Sequence, residues 1–294
     1  MAASKTMIRQ MKIHLSLFAY LLATLAFAQA PNLAGGGVGK QSPALVPIED
    51  VAGLPRVLII GDSISIGYTI ATRELLKDVA NVHRIPVNGS ATHVGLRDLD
   101  AWLATDRAGK KWDLIHFNWG LHDLKHFKDG KLDLSAPQVN PVKVYENNLR
   151  KIVARMKQTG AKLIFATTTP VSEGSAGRVA RSELAYNEAA LRVMKAEGVA
   201  VNDLHSLAAT KLGEIQIPRN VHFTPAGYQL LAGQVAAEIK KLSGSSVASR
   251  SFDRALLAPH ARCFTGRAPP NFSPRRKSEP KWRPFFCSFR FQGR

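Results

Sequence analysis

Residues 56–67 read RVLIIGDSISIG, and this stretch decides the fold. Its first five residues are mostly apolar and β-branched, which is typical of a strand buried on both faces in a parallel sheet. The strand ends at Gly61-Asp62-Ser63. Ligands in open α/β sheets bind at the carboxyl ends of strands, so the sequence places Ser63 where a site is expected. Apolar residues at helical spacing then predict a helix over residues 69–79.

Strands and helices alternate along the chain that follows. Short apolar runs predict strands, and apolar stripes at helical spacing predict helices. The alternation predicts an α/β domain with three layers and a parallel sheet of about five strands. This domain spans residues 55–245 and includes a polar surface excursion over 125–142 and a mobile Gly- and Ser-rich segment over 173–181. The further strands are predicted at 81–86, 112–120, 161–168 and 199–204, and the further helices at 95–103, 144–159, 182–197 and 229–242.

A second motif lies near the end of this domain. Residues 220–228 read NVHFTPAGY and lead into the last predicted helix. An imidazole titrates near neutral pH, so His222 could take a proton from a nucleophile and return it to a leaving group. A lone histidine before a helix can equally be structural, and the case for chemistry depends on the two motifs occurring together in this order.

The two motifs resemble blocks I and V of the GDSL/SGNH hydrolases, a family of serine esterases and lipases. The resemblance covers residues 55–242 and implies a flavodoxin-like fold. It implies that Ser63 is the nucleophile, that His222 is the general base and acid, and that Asp62 supports the site. It also implies hydrolysis of an O-acyl ester, with a small-molecule or carbohydrate ester as the substrate and no metal or organic cofactor.

Block II of the family supplies a glycine whose backbone N–H points into the oxyanion hole. In this chain the corresponding loop spans residues 87–92, and Gly89 is the best match. The neighbouring Ser90 N–H could serve equally. The resemblance therefore implies that the N–H groups of Ser63 and Gly89 bind the oxyanion.

Block III of the family reads Gly-x-Asn-Asp, and its asparagine donates to the oxyanion. Residues 120–123 read GLHD here, so that His122 stands at the asparagine position. An imidazole N–H can also donate a hydrogen bond, and His122 is therefore the third predicted oxyanion donor. Asn118 lies earlier on the strand and is an alternative donor, whereas Asp123 is predicted to support the site.

Arg219 is the largest departure from the family pattern. The family carries an aspartate three residues before the base histidine, where it fixes the tautomer and stabilises the imidazolium. An arginine does neither. In a working Ser–His dyad we expect a backbone carbonyl to accept from His222 Nδ1 and Arg219 to point to solvent, with Asp203 and Asp123 as further candidate carboxylates. The alternative is a catalytically impaired relative that binds a carbohydrate or similar ligand in the same cleft.

A metal site is a competing interpretation of the histidines near block III. His122 and His126 are four residues apart, and His116 is close in sequence. On a helix this spacing would place two imidazoles on one face. Gly120 and the end of the strand predict a loop instead, and no glutamate follows His122, so we predict no metal site.

The N-terminal segment has the three-part layout of a signal peptide. Basic residues precede an apolar run over 13–28, which is shorter than the ~20 residues that a membrane span needs, and small-x-small cleavage signals follow. We therefore predict a signal peptide over residues 1–30, a flexible lead-in over 31–54, and export to the periplasm or the exterior without a stable membrane span after cleavage.

The two cysteines and much of the positive charge lie near the C-terminus. Cys263 and Cys287 are the only cysteines, which excludes a disulfide scaffold for the domain. Residues 246–294 hold eleven Lys/Arg against two Asp/Glu, a net +9 of the total +18. This Pro-rich segment lacks helical or strand periodicity and predicts a basic disordered tail. Binding of nucleic acid by the tail is an alternative, but a specific nucleic-acid partner is not expected.

Overall fold

The structure is a computed structural model that describes residues 42–105 and 109–256, with side chains as far as Ser243. The chain divides into two units, Met1–Ala248 and Ser249–Arg294, and the fold below is that of the first unit. The predicted signal peptide lies outside the described residues, as do 257–294 of the predicted tail.

The described residues contain seven strands and seven α-helices. The strands are β1 Arg56–Ile60, β2 Asn81–Arg84, β3 Leu114–Phe117, β4 Phe127–Lys128, β5 Lys131–Leu132, β6 Lys162–Ala166 and β7 Ala200–Asn202. The helices are α1 Ser63–Leu76, α2 Thr92–Ala104, α3 Val142–Lys157, α4 Glu183–Glu197, α5 Leu204–Ala209, α6 Leu212–Ile215 and α7 Pro225–Leu256. A 3-10 turn, Pro43–Leu45, precedes β1.

Five parallel strands form the central sheet in the order β2-β1-β3-β6-β7. All five residues of β1 are buried, as the mostly apolar sequence of this strand predicts. Leu58 pairs with His83 of β2 on one side and with Ile115 of β3 on the other. The strand order is that of flavodoxin, and it confirms the predicted α/β fold and the predicted five-stranded sheet.

The helices cover the two faces of the sheet. Helices α2, α3 and α4 follow connections that run in one direction across the sheet, and they pack side by side. The connection through α1 runs in the opposite direction, and right-handed crossovers therefore place α1 on the other face. Helix α7 packs against α1 on that face. Gly67 of α1 lies so close to Tyr228 of α7 that an added Cβ would overlap the tyrosine ring. The core lies between these layers.

The site is positioned by the reversal of strand order at β1. The chain leaves β1 toward β2 on one side, whereas β3 lies on the other side of β1. The connections after β1 and β3 therefore separate and leave a crevice at the carboxyl ends of these strands. Ser63 follows β1 and His122 follows β3, so both reach this crevice.

One predicted boundary is wrong at the site, and one predicted surface segment contains regular structure. Helix α1 begins at Ser63 rather than at residue 69, because the Asp62 carboxylate caps it by accepting from the Ile64 N–H at 2.9 Å. The predicted surface excursion contains the short antiparallel hairpin of β4 and β5. This hairpin forms one wall of the crevice.

The chain also differs from prediction at both ends of the domain. Residues 42–54 of the predicted flexible lead-in are bound to the domain, because Asp50 pairs with Arg56, His83 and Lys110 at 2.6–2.9 Å. Helix α7 continues through Leu256, so the first residues of the predicted disordered tail are helical. Within the part of the chain that the structure describes, no helix combines the length and the apolar character needed to cross a membrane.

Candidate active site

Ser63 is the first residue of helix α1 and lies at the end of strand β1. The Asp62 side chain caps the helix through Ile64, so it does not use the Ser63 backbone N–H. This N–H has no acceptor among the described residues. It is available at the positive end of the helix dipole, where an anion is stabilised.

The structure brings Ser63 and His222 together, although they are 159 residues apart in the chain. Ser63 Oγ lies 2.8 Å from His222 Nε2. On its other side, His222 Nδ1 lies 2.8 Å from Oδ1 of Asn220. The three side chains form a continuous hydrogen-bonded series in which an amide stands where a serine hydrolase commonly has a carboxylate.

The tautomer of His222 follows from a backbone hydrogen bond. The His222 backbone N–H donates to Asn220 Oδ1 at 3.1 Å, and a backbone N–H can only donate. The atom of Asn220 that faces His222 is therefore the carbonyl oxygen, and Nδ1 of the ring must carry its proton to donate to the same oxygen. Nε2 is then unprotonated and accepts from the Ser63 hydroxyl, as a general base must.

The hydrogen-bond acceptor for His222 Nδ1 differs from the one expected. We expected a backbone carbonyl, whereas the acceptor is a side chain that sequence reasoning missed. Arg219 is exposed in a left-handed conformation, with a φ of 57°. Its side chain runs past Gly174, where an added Cβ would lie 3.1 Å from Arg219 Nε. Arg219 therefore does not occupy the position beside the imidazole.

The loop that carries His222 is fixed on both sides by backbone hydrogen bonds. The His222 carbonyl accepts from Ile217 N–H at 2.9 Å, and the Ile215 carbonyl accepts from Thr224 N–H at 2.8 Å. Gly227, in the first turn of α7, allows this close approach, since a Cβ there would lie 2.5 Å from the Ile215 oxygen. The glycine of the NVHFTPAGY motif therefore packs α7 against the histidine loop.

Burial and a neighbouring cation keep His222 neutral. Burial lowers its pKa from the ordinary value, and Arg178 lowers it further, whereas the Asp62 carboxylate acts in the opposite direction. A neutral imidazole is the form that can accept the Ser63 proton.

His122 is also neutral and lies at the same site. Burial lowers its pKa to about 4, with Lys125, Arg178 and His222 contributing in the same direction against Asp62. The Lys125 ammonium makes a long contact of 3.4 Å with His122 Nδ1. Because an ammonium only donates, Nδ1 is the acceptor and Nε2 carries the proton. His122 therefore presents an N–H donor rather than a base.

The predicted role of Gly89 as an oxyanion donor does not fit the structure. Its N–H donates to the Gly61 carbonyl at 2.8 Å, and an added Cβ would lie 2.8 Å from the same oxygen. The glycine thus allows its loop to approach the end of β1. The Ser90 N–H is also used, since it donates to Asn88 Oδ1 at 2.9 Å. The Nδ2 donor of Asn88, a residue that sequence reasoning missed, has no acceptor among the described residues and lines the same cavity as Ser63.

The two predicted supporting residues on the β3 side hold neighbouring segments together and form no hydrogen bond with His222 or Ser63. Asn118 Nδ2 donates to the Ala166 carbonyl at 2.7 Å and so joins the ends of β3 and β6, and Asn118 is not among the residues that line the cavity with Ser63. Asp123 is buried and accepts from the backbone and hydroxyl of Thr92 and from Asn140, at 2.5–2.9 Å. It connects the loop that carries His122 to the start of α2. Neither Asp123 nor Asp203, which caps α5, hydrogen-bonds to His222.

Arg84 is a further residue that the sequence did not single out. It is buried at the end of β2, and its Nη2 donates to the carbonyls of Gly61 and Asp62 and to Ser65 Oγ at 2.8–3.1 Å. Its Nη1 donates to two carbonyls of the following loop. Burial lowers its pKa to about 10, so it stays charged at neutral pH. Arg84 therefore holds the turn that presents Ser63.

The three histidines of the alternative metal interpretation have separate partners. His116 is buried beside Asn202 at 3.2 Å, and His126 Nδ1 lies 2.6 Å from the Ala136 carbonyl. His122 contacts Lys125. The described residues contain no group of three or more His, Cys, Asp or Glu side chains arranged to hold a metal ion.

Ser63, His122 and His222 open into one cavity of about 670 Å³. The β4–β5 hairpin forms one wall, and the loop after β6 contributes Arg178, which sequence reasoning did not connect with the site. The lining residues are Asp62, Ser63, Asn88, Leu121, His122, Lys125, Phe127, Gly130, Lys131, Leu132, Arg178, Val221 and His222.

The family and fold of this chain have known counterparts. A model of the GDSL-like lipase/acylhydrolase family matches residues 59–230. A lipase/acylhydrolase from Enterococcus faecalis is 20% identical and has a TM-score of 0.53, over 64% of this chain and 96% of that one. The acetyl xylan esterase AlAXEase is 16% identical, with a TM-score of 0.52 over 63% and 99%. Axe2, an acetylxylan esterase from Geobacillus stearothermophilus, is 20% identical, with a TM-score of 0.51 over 63% and 94%. A search of curated proteins found no match.

Proposed function

Because this chain belongs to the GDSL-like lipase/acylhydrolase family, we propose that it is an exported serine esterase that cleaves an O-acyl ester with Ser63 and His222. The observation that carries the proposal is the hydrogen-bonded series Ser63–His222–Asn220, with 2.8 Å at both side-chain contacts. A nucleophile, a base and a group that orients the base are the elements that acyl transfer needs.

The first half of the proposed reaction transfers the acyl group to the enzyme. Ser63 Oγ attacks the acyl carbon while His222 Nε2 takes the hydroxyl proton. The tetrahedral oxyanion is bound by the N–H of Ser63 and by His122 Nε2–H, with Asn88 Nδ2 as a third donor. The bond to the leaving alcohol then breaks, and His222 returns the proton to the alcohol oxygen.

The second half releases the acid. Water attacks the acyl carbon of the Ser63 ester while His222 takes a proton from that water. The second oxyanion collapses, the bond to Ser63 Oγ breaks, and the proton on His222 returns to Ser63. No metal or organic cofactor takes part in these steps.

Asn220 suits this chemistry in one respect and limits it in another. It orients the imidazole in the required tautomer, as the asparagine of Cys-His-Asn proteases does. It carries no charge, so it stabilises the imidazolium of the transition state less than a carboxylate would. We therefore propose a working site whose turnover is below that of an otherwise equal Ser-His-Asp site.

We propose a carbohydrate O-acyl ester as the substrate and export as the destination. Two structural neighbours are acetylxylan esterases, which makes acetylated sugars the first substrates to test. The N-terminal layout supports cleavage by signal peptidase. N-terminal sequencing of protein from the periplasm or medium should give a start after Ala28 or Ala30, whereas a retained Met1 would contradict export.

The test of activity is hydrolysis of p-nitrophenyl acetate and of acetylated xylo-oligosaccharides by the wild-type protein and by Ser63→Ala. We expect release of p-nitrophenol and acetate by the wild type and loss of both in the variant. Unchanged activity in a folded Ser63→Ala variant would remove Ser63 from the mechanism. The competing hypothesis, a catalytically impaired binding protein, predicts no hydrolysis by either form together with calorimetric binding of the sugar by both.

A further inference from the structure

The walls of the cavity beside Ser63 are strongly basic. Lys125, Lys131 and Arg178 line it, against one carboxylate, Asp62. Asp62 Oδ1 already accepts from the Ile64 N–H as the cap of α1. Within the described residues, none of the three cations forms an ion pair with an acidic side chain. The cavity therefore has a net positive charge that the described residues leave uncompensated.

Arg178 is held in place with one donor group unused. Its Nε donates to the Leu121 carbonyl at 3.0 Å and its Nη1 to the Ala176 carbonyl at 3.1 Å. Its Nη2 has no acceptor among the described residues. Nη2 is not among the buried unpartnered atoms of the described residues, so it is open to the cavity, and a guanidinium N–H forms stronger hydrogen bonds with an anion than with a neutral acceptor. An anion at this position would complete the set.

The cations also oppose the proposed chemistry when the cavity holds no anion. Arg178 disfavours protonation of both His222 and His122, and Lys125 Nζ lies 3.4 Å from His122 Nδ1. Catalysis requires His222 to become an imidazolium, which a fixed neighbouring cation makes less favourable. A negative charge brought in by the substrate would offset that effect.

We infer that the natural substrate is an ester carrying a carboxylate, which binds Arg178 with Lys125 and Lys131 beside the scissile bond. This inference rests on the proposed esterase function and adds the charge of its substrate. A planar guanidinium can bind a carboxylate through paired hydrogen bonds, and the two lysines add charge without fixing a geometry. An acyl ester of an acidic sugar has this chemistry.

The first test compares two sugars that differ only in charge. Acetylated glucuronate and acetylated glucuronamide have nearly the same shape, and acetate release gives kcat/KM for each. We expect about a tenfold preference for the acid, since one charge-assisted hydrogen bond contributes enough for that ratio. Arg178→Gln should remove most of the preference. Lys151→Gln, which deletes an exposed charge on α3 away from the cavity, should keep it.

A second pair places the carboxylate on the acyl side. Mono-p-nitrophenyl adipate is compared with p-nitrophenyl hexanoate, which has the same chain length without the charge. A preference for the acid in either pair that disappears in Arg178→Gln supports the inference and identifies the part of the substrate that bears the charge. Equal rates within both pairs for the wild type would overturn it, as would a preference that survives Arg178→Gln and the Lys125→Gln/Lys131→Gln double variant.

Failure of this inference is distinguishable from failure of the proposed function. Hydrolysis of p-nitrophenyl acetate without any preference for acids rejects only the anionic substrate. If no ester is hydrolysed, the esterase proposal fails, and calorimetry with glucuronate and glucuronamide tests the basic cavity by itself. Tighter binding of glucuronate, weakened by Arg178→Gln and by salt, supports the anion site, whereas equal binding rejects it.

Discussion

Asn220 Oδ1 lies 2.8 Å from Nδ1 of His222 and 3.1 Å from the backbone nitrogen of the same residue. One amide oxygen thus accepts two hydrogen bonds, and the backbone bond fixes which end of the amide faces the ring. The backbone carbonyl of Asn220 accepts a separate hydrogen bond from Ser172 Oγ at 3.1 Å, which holds the main chain at this residue. The orientation of the proposed base therefore depends on a neutral side chain two residues away.

Removing this amide should reduce turnover. In Asn220→Ala the imidazole loses its orienting acceptor, and we expect kcat on p-nitrophenyl acetate to fall about 5- to 30-fold, as for loss of about one to two kcal/mol of hydrogen bonding. KM should change little, because the interaction matters when the proton moves. A fall in substrate affinity with unchanged kcat would contradict the assigned role.

Adding a charge at the same position should have the opposite effect. Asn220→Asp places a carboxylate beside Nδ1, where it favours the imidazolium, and kcat should rise. Arg219→Asp is the matched control: it introduces the aspartate at the position that the family pattern suggests, yet residue 219 is exposed and its side chain lies along Gly174. If kcat rises equally in Arg219→Asp and Asn220→Asp, a carboxylate at residue 219 reaches the imidazole as well as one at residue 220 does, which would contradict the assigned geometry.

The acid limb of the pH profile should depend on Arg178. His222 must be neutral to accept a proton, and burial and Arg178 lower its pKa, so kcat/KM should remain high below pH 6.5, the ordinary histidine value. Arg178→Gln removes a cation, which raises the pKa of His222 and moves the acid limb to higher pH. The measurement is kcat/KM for neutral p-nitrophenyl acetate from pH 4 to 9, with Lys151→Gln as the control for lost charge. An unmoved limb in Arg178→Gln would indicate that the guanidinium does not act on His222.

His122 should contribute through its N–H rather than as a base. In His122→Ala we expect kcat to fall by about 10²–10³, the range for loss of one oxyanion donor, with a small change in KM. His122→Asn retains an N–H donor and should recover part of the loss. Both variants should unfold at the temperature of the wild type. Equal activities for the alanine and asparagine variants would argue against a donor role.

Asp123 should make stability depend on pH. Burial raises its pKa to about 6, despite hydrogen bonds from Thr92 and Asn140, and its Oδ2 has no partner among the described residues. Below about pH 4 the carboxyl is protonated in both states. As the pH rises from 4 to 6, Asp123 ionises in the unfolded chain before it does in the folded protein. The free energy of unfolding therefore falls by up to about 3 kcal/mol and stays at the lower value above pH 6.

The measurement for Asp123 is the free energy of unfolding in urea at pH 4 and pH 8. Asp123→Asn cannot ionise, so its stability relative to the wild type should improve by up to about 3 kcal/mol between the two pH values. Asp78→Asn, which removes an exposed carboxylate, serves as the control. A constant difference between Asp123→Asn and the wild type would show that the buried carboxyl does not titrate as proposed.

The sequence by itself determined the sheet and the positions of its two main motifs. Residues 56–60 form a buried strand because the four consecutive apolar side chains of residues 57–60 leave no face for solvent. Arg56 is buried at the start of this strand because it pairs with Asp50, which sequence pattern alone did not reveal. The GDS turn and the NVHFTPAGY segment each lie at an element boundary, where local composition is informative. Local patterns of this kind specify where a strand stops and a helix begins, and hence where Ser63 and His222 enter the structure.

Only the tertiary structure decided which neighbours these residues have. The family pattern puts the partner of His222 at residue 219, where this chain has an arginine, and we expected a backbone carbonyl instead. In the structure Arg219 has a left-handed backbone and an exposed side chain, and the side chain of Asn220 faces the ring. Gly89 was expected to donate to an oxyanion, yet its N–H meets the Gly61 carbonyl across the sheet edge. Arg178 reaches the cavity from a loop more than a hundred residues after Ser63. Hydrogen-bond partners and cavity walls depend on long-range packing, because the direction of a side chain is set by the elements it packs against and not by its place in the sequence.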